Sequence, residues 1–201
     1  MDTPDTALLI LAAGEASRMG EAKQLLPWKG TTLLGHVLQE ARASTANKVY
    51  VVLGAHAHRI RSQIQFQEEI IMNPEWKKGM GSSIVSGMRH IMQEPPFFSS
   101  VLIALADQPL LGHAHFDFLM EGFNTSPYDV VATEYRDGIG VPAIFGRRYF
   151  EGLASLEPSQ GAKKIVEAAG KTVRSVLPKG DIVDLDTKTE YQDLYTKWGQ
   201  E

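Results

Sequence analysis

The chain of 201 residues contains no cysteine. Disulfide staples, thiolate metal sites and cysteine nucleophiles are therefore excluded, and a cytoplasmic location is the expectation. An excess of positive charge is also missing. Lys and Arg number 20 against 24 Asp and Glu, a net charge of −4, so the basic face needed for nonspecific nucleic-acid binding is not there. No apolar run approaches the roughly 18 residues of a membrane-spanning helix. The opening residues Met1-Asp2-Thr3-Pro4-Asp5 are acidic, unlike the basic start of a secretory signal. Repeats, low-complexity tracts and linkers are lacking too, which points to one domain over residues 1–201. With 43% apolar residues the chain has enough material for an ordinary core.

Most of the chemical information lies in the first thirty residues. The apolar run Ala7-Leu8-Leu9-Ile10-Leu11-Ala12 fits a strand buried on both faces. It leads into Ala13-Gly14-Glu15-Ala16-Ser17-Arg18-Met19-Gly20, then Glu21-Ala22-Lys23-Gln24. Gly14 and Gly20 bracket a loop of small residues, and Arg18 and Lys23 place two cations within or just past it. Backbone amides freed by glycine and backed by fixed cations make an anion site, so a polyphosphate cradle is expected at the carboxyl end of the first strand. Neither G-x-x-x-x-G-K-[ST] nor G-x-G-x-x-G occurs here. An ordinary strand-to-helix turn with solvated cations is the competing reading.

Strand-like and helix-like segments then alternate. Residues 31–41 have helical apolar spacing, residues 48–53 and 69–72 read as strands, and residues 56–66 as a helix. Ser82-Ser83 opens a further helix that Pro95-Pro96 ends, and residues 100–106 form the best central strand. A helix over 116–123, strands over 129–133 and 172–177, and a terminal helix over 191–198 follow. Gly140-Val141-Pro142 reads as a loop entering a strand, with a turn and an edge strand as the plain alternative. This alternation predicts an α/β fold with a mostly parallel sheet covered by helices on both faces.

The central strand runs into Asp107-Gln108-Pro109. A carboxylate at the carboxyl end of a buried strand stands where open α/β sheets bind ligands, and it needs a compensating partner such as magnesium on a triphosphate. A turn or helix-cap aspartate is the alternative. Alternation along Asp181-Ile182-Val183-Asp184-Leu185-Asp186-Thr187 puts Asp184 and Asp186 on one face, from which a carboxylate can complete a magnesium site with Asp107. The pairs His56-Ala57-His58 and His113-Ala114-His115 lack a third ligand at suitable spacing and read as solvated histidines at helix starts.

The series Leu11-Ala12-Ala13-Gly14-x-x-x-Arg18-Met19-Gly20-x-x-Lys23-x-Leu25-Leu26 resembles the nucleotide signature of the MobA-like NTP transferases of molybdenum cofactor maturation. Its Leu-Ala-Ala-Gly form is similar to the molybdopterin cytidylyltransferase branch, whereas the guanylyltransferase branch has Leu-Ala-Gly-Gly. The resemblance implies a three-layer α/β/α, Rossmann-like fold of the nucleotide-diphospho-sugar transferase type. It implies CTP (or GTP) bound by Leu11, Ala12, Ala13, Gly14, Arg18, Met19, Gly20 and Lys23. The segment Asn73-x-x-Trp76-x-x-Gly79-x-Gly81-Ser82-Ser83 is similar to the family's base-recognition element and adds Gly81, Ser82 and Ser83. Leu105-Ala106-Asp107-Gln108-Pro109 matches the metal motif, which implies Mg²⁺ on Asp107 with Asp186 as second ligand.

The implied reaction moves CMP from CTP to a phosphorylated small-molecule acceptor, molybdopterin or molybdenum cofactor. Arg18 would hold the β- and γ-phosphates, and Lys23 the α-phosphate, with Asp107 as the third catalytic residue. Gly140, Pro142 and Lys163 are the implied acceptor contacts, and a molybdoenzyme that receives the product is an implied partner. The sequence departs from the pattern at Val141, Gln160, Lys163 and Lys188, where relatives carry histidine, an acid, arginine and proline. The departures at Val141, Gln160 and Lys163 leave open a cytidylyltransferase for another sugar or isoprenoid-type phosphate. They also leave open a nucleotide-binding cofactor chaperone without turnover.

Overall fold

The computed structural model describes residues 5–93, 95 and 97–200. The acidic start at residues 1–4 and Pro96 of the expected helix stop lie outside the described residues. Strand β1 spans Thr6–Leu11 and is buried at every position, as the unbroken apolar run requires. The short pair β2, Pro27–Trp28, and β3, Thr31–Thr32, follows as an antiparallel hairpin. Helix α1 covers Leu33–Ala43, with the Thr32 hydroxyl accepting from the Gly35 amide as its N-terminal cap. Next come β4, Lys48–Leu53, α2, Ala57–Gln63, and β5, Glu69–Met72. Helix α3 spans Met80–Gln93 and β6 spans Ser100–Leu105. Helix α3 therefore opens two residues before Ser82-Ser83, whose hydroxyls lie inside its first turn.

The second half contains α4, His113–Asn124, β7, Val130–Tyr135, and β8, Gly138–Gly146. These are followed by α5, Phe150–Ala154, α6, Lys163–Ala169, β9, Val173–Val176, and α7, Lys188–Leu194. The main sheet has the order β5-β4-β1-β6-β8-β7-β9. Its pairings are parallel except those of β8, which runs antiparallel to both β6 and β7. The Gly140-Val141-Pro142 segment is thus inside a central strand rather than a loop or an edge. The tight turn at Arg136-Asp137, completed by Gly138 at φ +131°, sends the chain straight back and obliges β8 to oppose β7.

Alternate residues of the strands feed two cores. Leu9, Tyr50, Val101 and Phe145 pack toward α3, α5 and α6, while Leu8, Ile10, Leu102 and Ile144 pack toward α1, α2 and α4. A third, smaller cluster of Trp28, Leu33 and Leu185 is closed by Tyr191, Leu194 and Tyr195 of the C-terminal helical segment. A capping box of Thr187 and Glu190 starts α7. The Tyr191 hydroxyl donates to the Pro27 carbonyl (2.9 Å), and the Lys29 amide to the Gly199 carbonyl (2.7 Å). Residues 191–199 are therefore docked on the β2–β3 hairpin.

The expected solvation of the histidines holds for His56 and His58, and His113 sits at the surface against Glu40. It fails for His115, which is fully buried. His115 Nε2 donates to Thr133 Oγ1 (2.8 Å), whose own proton goes to the Pro142 carbonyl (2.5 Å), and Nδ1 accepts from the Lys179 amide (3.3 Å). Helical spacing turns His115 inward beside Phe116, and these partners satisfy a neutral ring. Burial, aided by the Lys179 charge, pushes its pKa down from 6.5 to about 4. The unfolded chain therefore binds a proton at higher pH than the native one. The stability that His115 contributes is complete above pH 6.5 and is lost as pH falls toward 4, by about 3 kcal/mol. Urea unfolding followed from pH 7 to 4 is expected to show this decline, and the decline is expected to be shallower in His115→Gln.

Candidate active site

The carboxyl ends of β1 and β6 lie side by side, with β4 and β5 on one flank and β8, β7 and β9 on the other. Chain order reverses there, and open α/β sheets bind ligands at that position. A cavity of about 390 Å³ opens at this point. Leu11, Ala12, Ala13, Gly14, Arg18, Lys23, Ser83 and Asp107 line it, together with Asp186. Trp76 and Gly79 of the base-recognition segment line it as well, and so do Glu15, Ala16, Ser17, Gln24, Lys77 and Met80, to which sequence reasoning had given no contact.

The loop after β1 is built to present amides. The Gln24 side-chain nitrogen donates to the carbonyls of Ala12 and Gly14, both at 2.9 Å, and the Ala55 amide donates to the Ala13 carbonyl at 3.0 Å. Three successive carbonyls are thereby tied up. The backbone amides of residues 14–18 donate to nothing among the described residues. A methyl group added at Gly14 would meet no protein atom within 4 Å. The turn is tightened by Ala16, at φ +54°, whose carbonyl accepts from the Met19 amide (2.9 Å). Buried Met19 plugs the loop from beneath, and Gly20, at φ +71°, ends it; neither lines the cavity. Gln24 is 2% exposed, and nothing local in the sequence marks this role.

The opposite wall is held by Asn73, whose side chain donates to the hydroxyls of Ser82 (2.9 Å) and Ser83 (3.0 Å). The single Ser82 hydroxyl proton is shared between the Gly79 carbonyl (2.7 Å) and the Glu75 carbonyl (3.0 Å) just before the helix. Gly81 faces away from the cavity: a Cβ there would lie 2.2 Å from the Glu157 carbonyl oxygen, and its amide donates to the Pro158 carbonyl (2.9 Å). Ser83 lines the cavity, whereas Gly81 and Ser82 shape its rim from behind.

The charged floor comes from three distant parts of the chain. Lys23 Nζ donates to Asp107 Oδ2 at 2.6 Å and to the Leu185 carbonyl at 3.1 Å, and lies 3.4 Å from Asp186 Oδ1. Arg18 approaches Asp186 at 3.6 Å from the solvent side. Asp107 Oδ1 is buried without a hydrogen-bond partner. The carboxylates of Asp107 and Asp186 offer oxygen donors of the kind a hard divalent cation takes, and the unsatisfied Asp107 oxygen fits such an ion.

Asp184 and Asp186 do not share a face. Residues 181–187 belong to no strand, so no ladder enforces alternation. Asp184 enters a second cavity of about 640 Å³, which shares the Leu105 wall with the first. Gln108 Nε2 donates there to Asp184 Oδ1 (2.8 Å) and Tyr135 Oη (2.9 Å), and the Tyr135 hydroxyl donates to the Val141 carbonyl. Burial raises the pKa of Asp184, opposed by the Gln108 bond and reinforced by Asp107 and Asp186. Burial also pushes Tyr135 up to about 12, so its phenol keeps its proton at neutral pH. Gly140, Val141 and Lys163 line this second cavity; Pro142 is buried in β8 and does not.

Comparison with known proteins agrees with this arrangement. The chain is 28% identical over 204 residues to the purine catabolism protein PucB of Bacillus subtilis, covering 95% of this chain and 96% of that protein. It is 33% identical over 144 residues to a probable molybdenum cofactor guanylyltransferase of Bacillus cereus, covering 70% of this chain and 62% of that protein. The crystal structure of Rv0371c from Mycobacterium tuberculosis superimposes with a TM-score of 0.83 at 26% identity, over 97% of this chain and all of that one. A second structure of Rv0371c, a complex with manganese, gives 0.79 at the same identity, over 94% of this chain and 97% of that one. The family model of the MobA-like NTP transferase domain matches residues 8–173, and the chain belongs to that family of nucleotidyltransferases.

Proposed function

We propose that the protein transfers CMP from CTP to the phosphate of molybdopterin or molybdenum cofactor and releases pyrophosphate. The observation that carries this reading is the junction of the free amides of residues 14–18 with Lys23, Asp107 and Asp186 in one cavity. The amides and Arg18 hold the β- and γ-phosphates, and Lys23 meets the α-phosphate. Asp107 and Asp186 hold the divalent ion, Mg²⁺ in this reading. When bound, that ion supplies positive charge against the negative charge that grows on the reacting phosphates. The manganese complex of Rv0371c supports a divalent ion for this chain as well.

An acceptor phosphate oxygen forms a bond to the α-phosphorus while the bond from that phosphorus to the bridging oxygen breaks. The attacking phosphate is already ionised near neutral pH, so no general base is required. What opposes reaction is repulsion between two anions, about 4 kcal/mol at 4 Å and an effective dielectric near 20. Arg18, Lys23 and the free amides reduce it and orient both groups. The second cavity, which shares the Leu105 wall with the first, takes the acceptor, with Gly140, Val141 and Lys163 on its wall. Ala13 is among the residues lining the nucleotide cavity, and alanine rather than glycine at this position supports CTP over GTP. A molybdoenzyme then receives the product.

The test is a mass assay of purified protein with each nucleoside triphosphate, Mg²⁺ and molybdopterin. The expected outcome is a product heavier by CMP, with pyrophosphate, from CTP alone. A product from GTP would overturn the base assignment. Pyrophosphate release with a sugar or isoprenoid phosphate but not molybdopterin would overturn the acceptor.

A further inference from the structure

Lys23 occupies the place of a cation among oxygen donors. Its ammonium nitrogen has three oxygens around it, Asp107 Oδ2 at 2.6 Å, the Leu185 carbonyl at 3.1 Å and Asp186 Oδ1 at 3.4 Å. An ammonium has three protons to give and no other chemistry to offer there. The Lys23 side chain is only 13% exposed, so losing these partners would leave a charge poorly hydrated.

The oxygen set is built by the fold. Leu185 is wholly buried against Trp28 and Leu33, and its amide donates to the Asp107 carbonyl at 3.1 Å. The carbonyl that receives Lys23 is thereby fixed on one side and Asp107 on the other. Among the described residues no group of three or more His, Asp or Glu side chains gathers to hold a metal. Two carboxylates already joined to an ammonium are a poor site for a bare divalent ion. The ion would have to expel Lys23, and the expelled ammonium would give up the two carboxylates that now neutralise it.

We propose that Lys23 is a resident counter-ion that reserves Asp107 and Asp186 for a divalent ion arriving on a nucleotide. The inference rests on the reading that these two carboxylates hold the ion. Triphosphate oxygens offer the ammonium a new anionic partner as it leaves Asp107, so metal entry and the transfer of Lys23 to the phosphates are one exchange. Lys23 then discriminates between the metal–nucleotide complex and free metal, a role separate from its contact with the α-phosphate. Arg18 lies on the solvent side of Asp186, 3.6 Å from its Oδ2.

Calorimetric titration of Mn²⁺ tests this, with wild type, Lys23→Met, Lys23→Gln and Asp107→Asn, each with no nucleotide, with CTP and with GTP. Circular dichroism confirms that each variant is folded, and Lys23→Gln keeps an amide donor for the oxygens without the charge. Wild type is expected to take up Mn²⁺ at least tenfold more tightly with a nucleotide than without. Both Lys23 variants are expected to bind Mn²⁺ without nucleotide at least tenfold more tightly than wild type does. Nucleotide-free affinities of the Lys23 variants within threefold of wild type would overturn the counter-ion role. Nucleotide-dependent Mn²⁺ binding that survives unchanged in Asp107→Asn would instead overturn the metal assignment beneath it.

Discussion

Asp107→Asn is expected to lower turnover by about 10²–10³-fold, the cost of removing one charge-stabilising group from a reaction centre. The substitution keeps the shape of the side chain. It also keeps the Asp107 carbonyl that accepts from the Leu185 amide, so the strap over the site stays attached. What disappears is a carboxylate with one oxygen on Lys23 and the other buried and unsatisfied. The fold is expected to survive, because β6 is buried by its own apolar residues and Asp107 lies beyond its end. Steady-state kinetics with saturating Mg²⁺ and CTP, beside a thermal melt, checks both halves. Turnover within threefold of wild type would remove Asp107 from the chemistry.

Leu185→Ala is expected to cost about 3 kcal/mol of stability, as truncation of a fully buried leucine commonly does. The Leu185 side chain is 0% exposed and closes the cluster of Trp28 and Leu33. Its backbone meanwhile joins Asp107 and Lys23 from opposite sides. A loosened residue 185 therefore loosens the charged floor and displaces Asp186 with it. Turnover is expected to fall by about tenfold or more, since catalysis by preorganised charge depends on position. Nucleotide affinity is expected to change only a few-fold, because the amides of residues 14–18 are held by Gln24 and Ala55 instead. Urea unfolding, turnover and a nucleotide titration separate these effects. Loss of stability with unchanged turnover would make the strap structural only.

Leu185 lies beyond residues 8–173, the part matched by the family model. Asp184 and Asp186 lie beyond it as well, so the C-terminal segment supplies a carboxylate to each cavity. The docking of the last helical residues on the Trp28 hairpin explains how so late a segment reaches the first loop. The stabilising contacts there are mostly apolar, with Tyr191 and Lys29 as the hydrogen-bonded ties.

Much of the sheet was legible beforehand because buried parallel strands read as continuous apolar runs, and residues 48–53 and 69–72 coincide with β4 and β5. The antiparallel course of β8 was not legible, since direction follows from a two-residue turn and from what lies on either side. The fate of His115 was hidden by its exposed neighbour His113: spacing of two placed them alike in the chain, but the helix sends them to opposite environments. Gln24 carried no mark of its task, because a side chain that ties off carbonyls 12 and 14 does so across space.

The amino-acid order alone determined the small-residue loop after a buried strand, the two cations beside it and the acid that ends the central strand. Those features are local, and backbone freedom and charge are properties of the residues themselves. Tertiary structure alone decided that Lys23 lies between Asp107 and Asp186, and that Asp184 and Asp186 enter different cavities. Those residues are separated by up to 163 positions, and only the packing of Leu185 under Trp28 brings them within hydrogen-bonding reach.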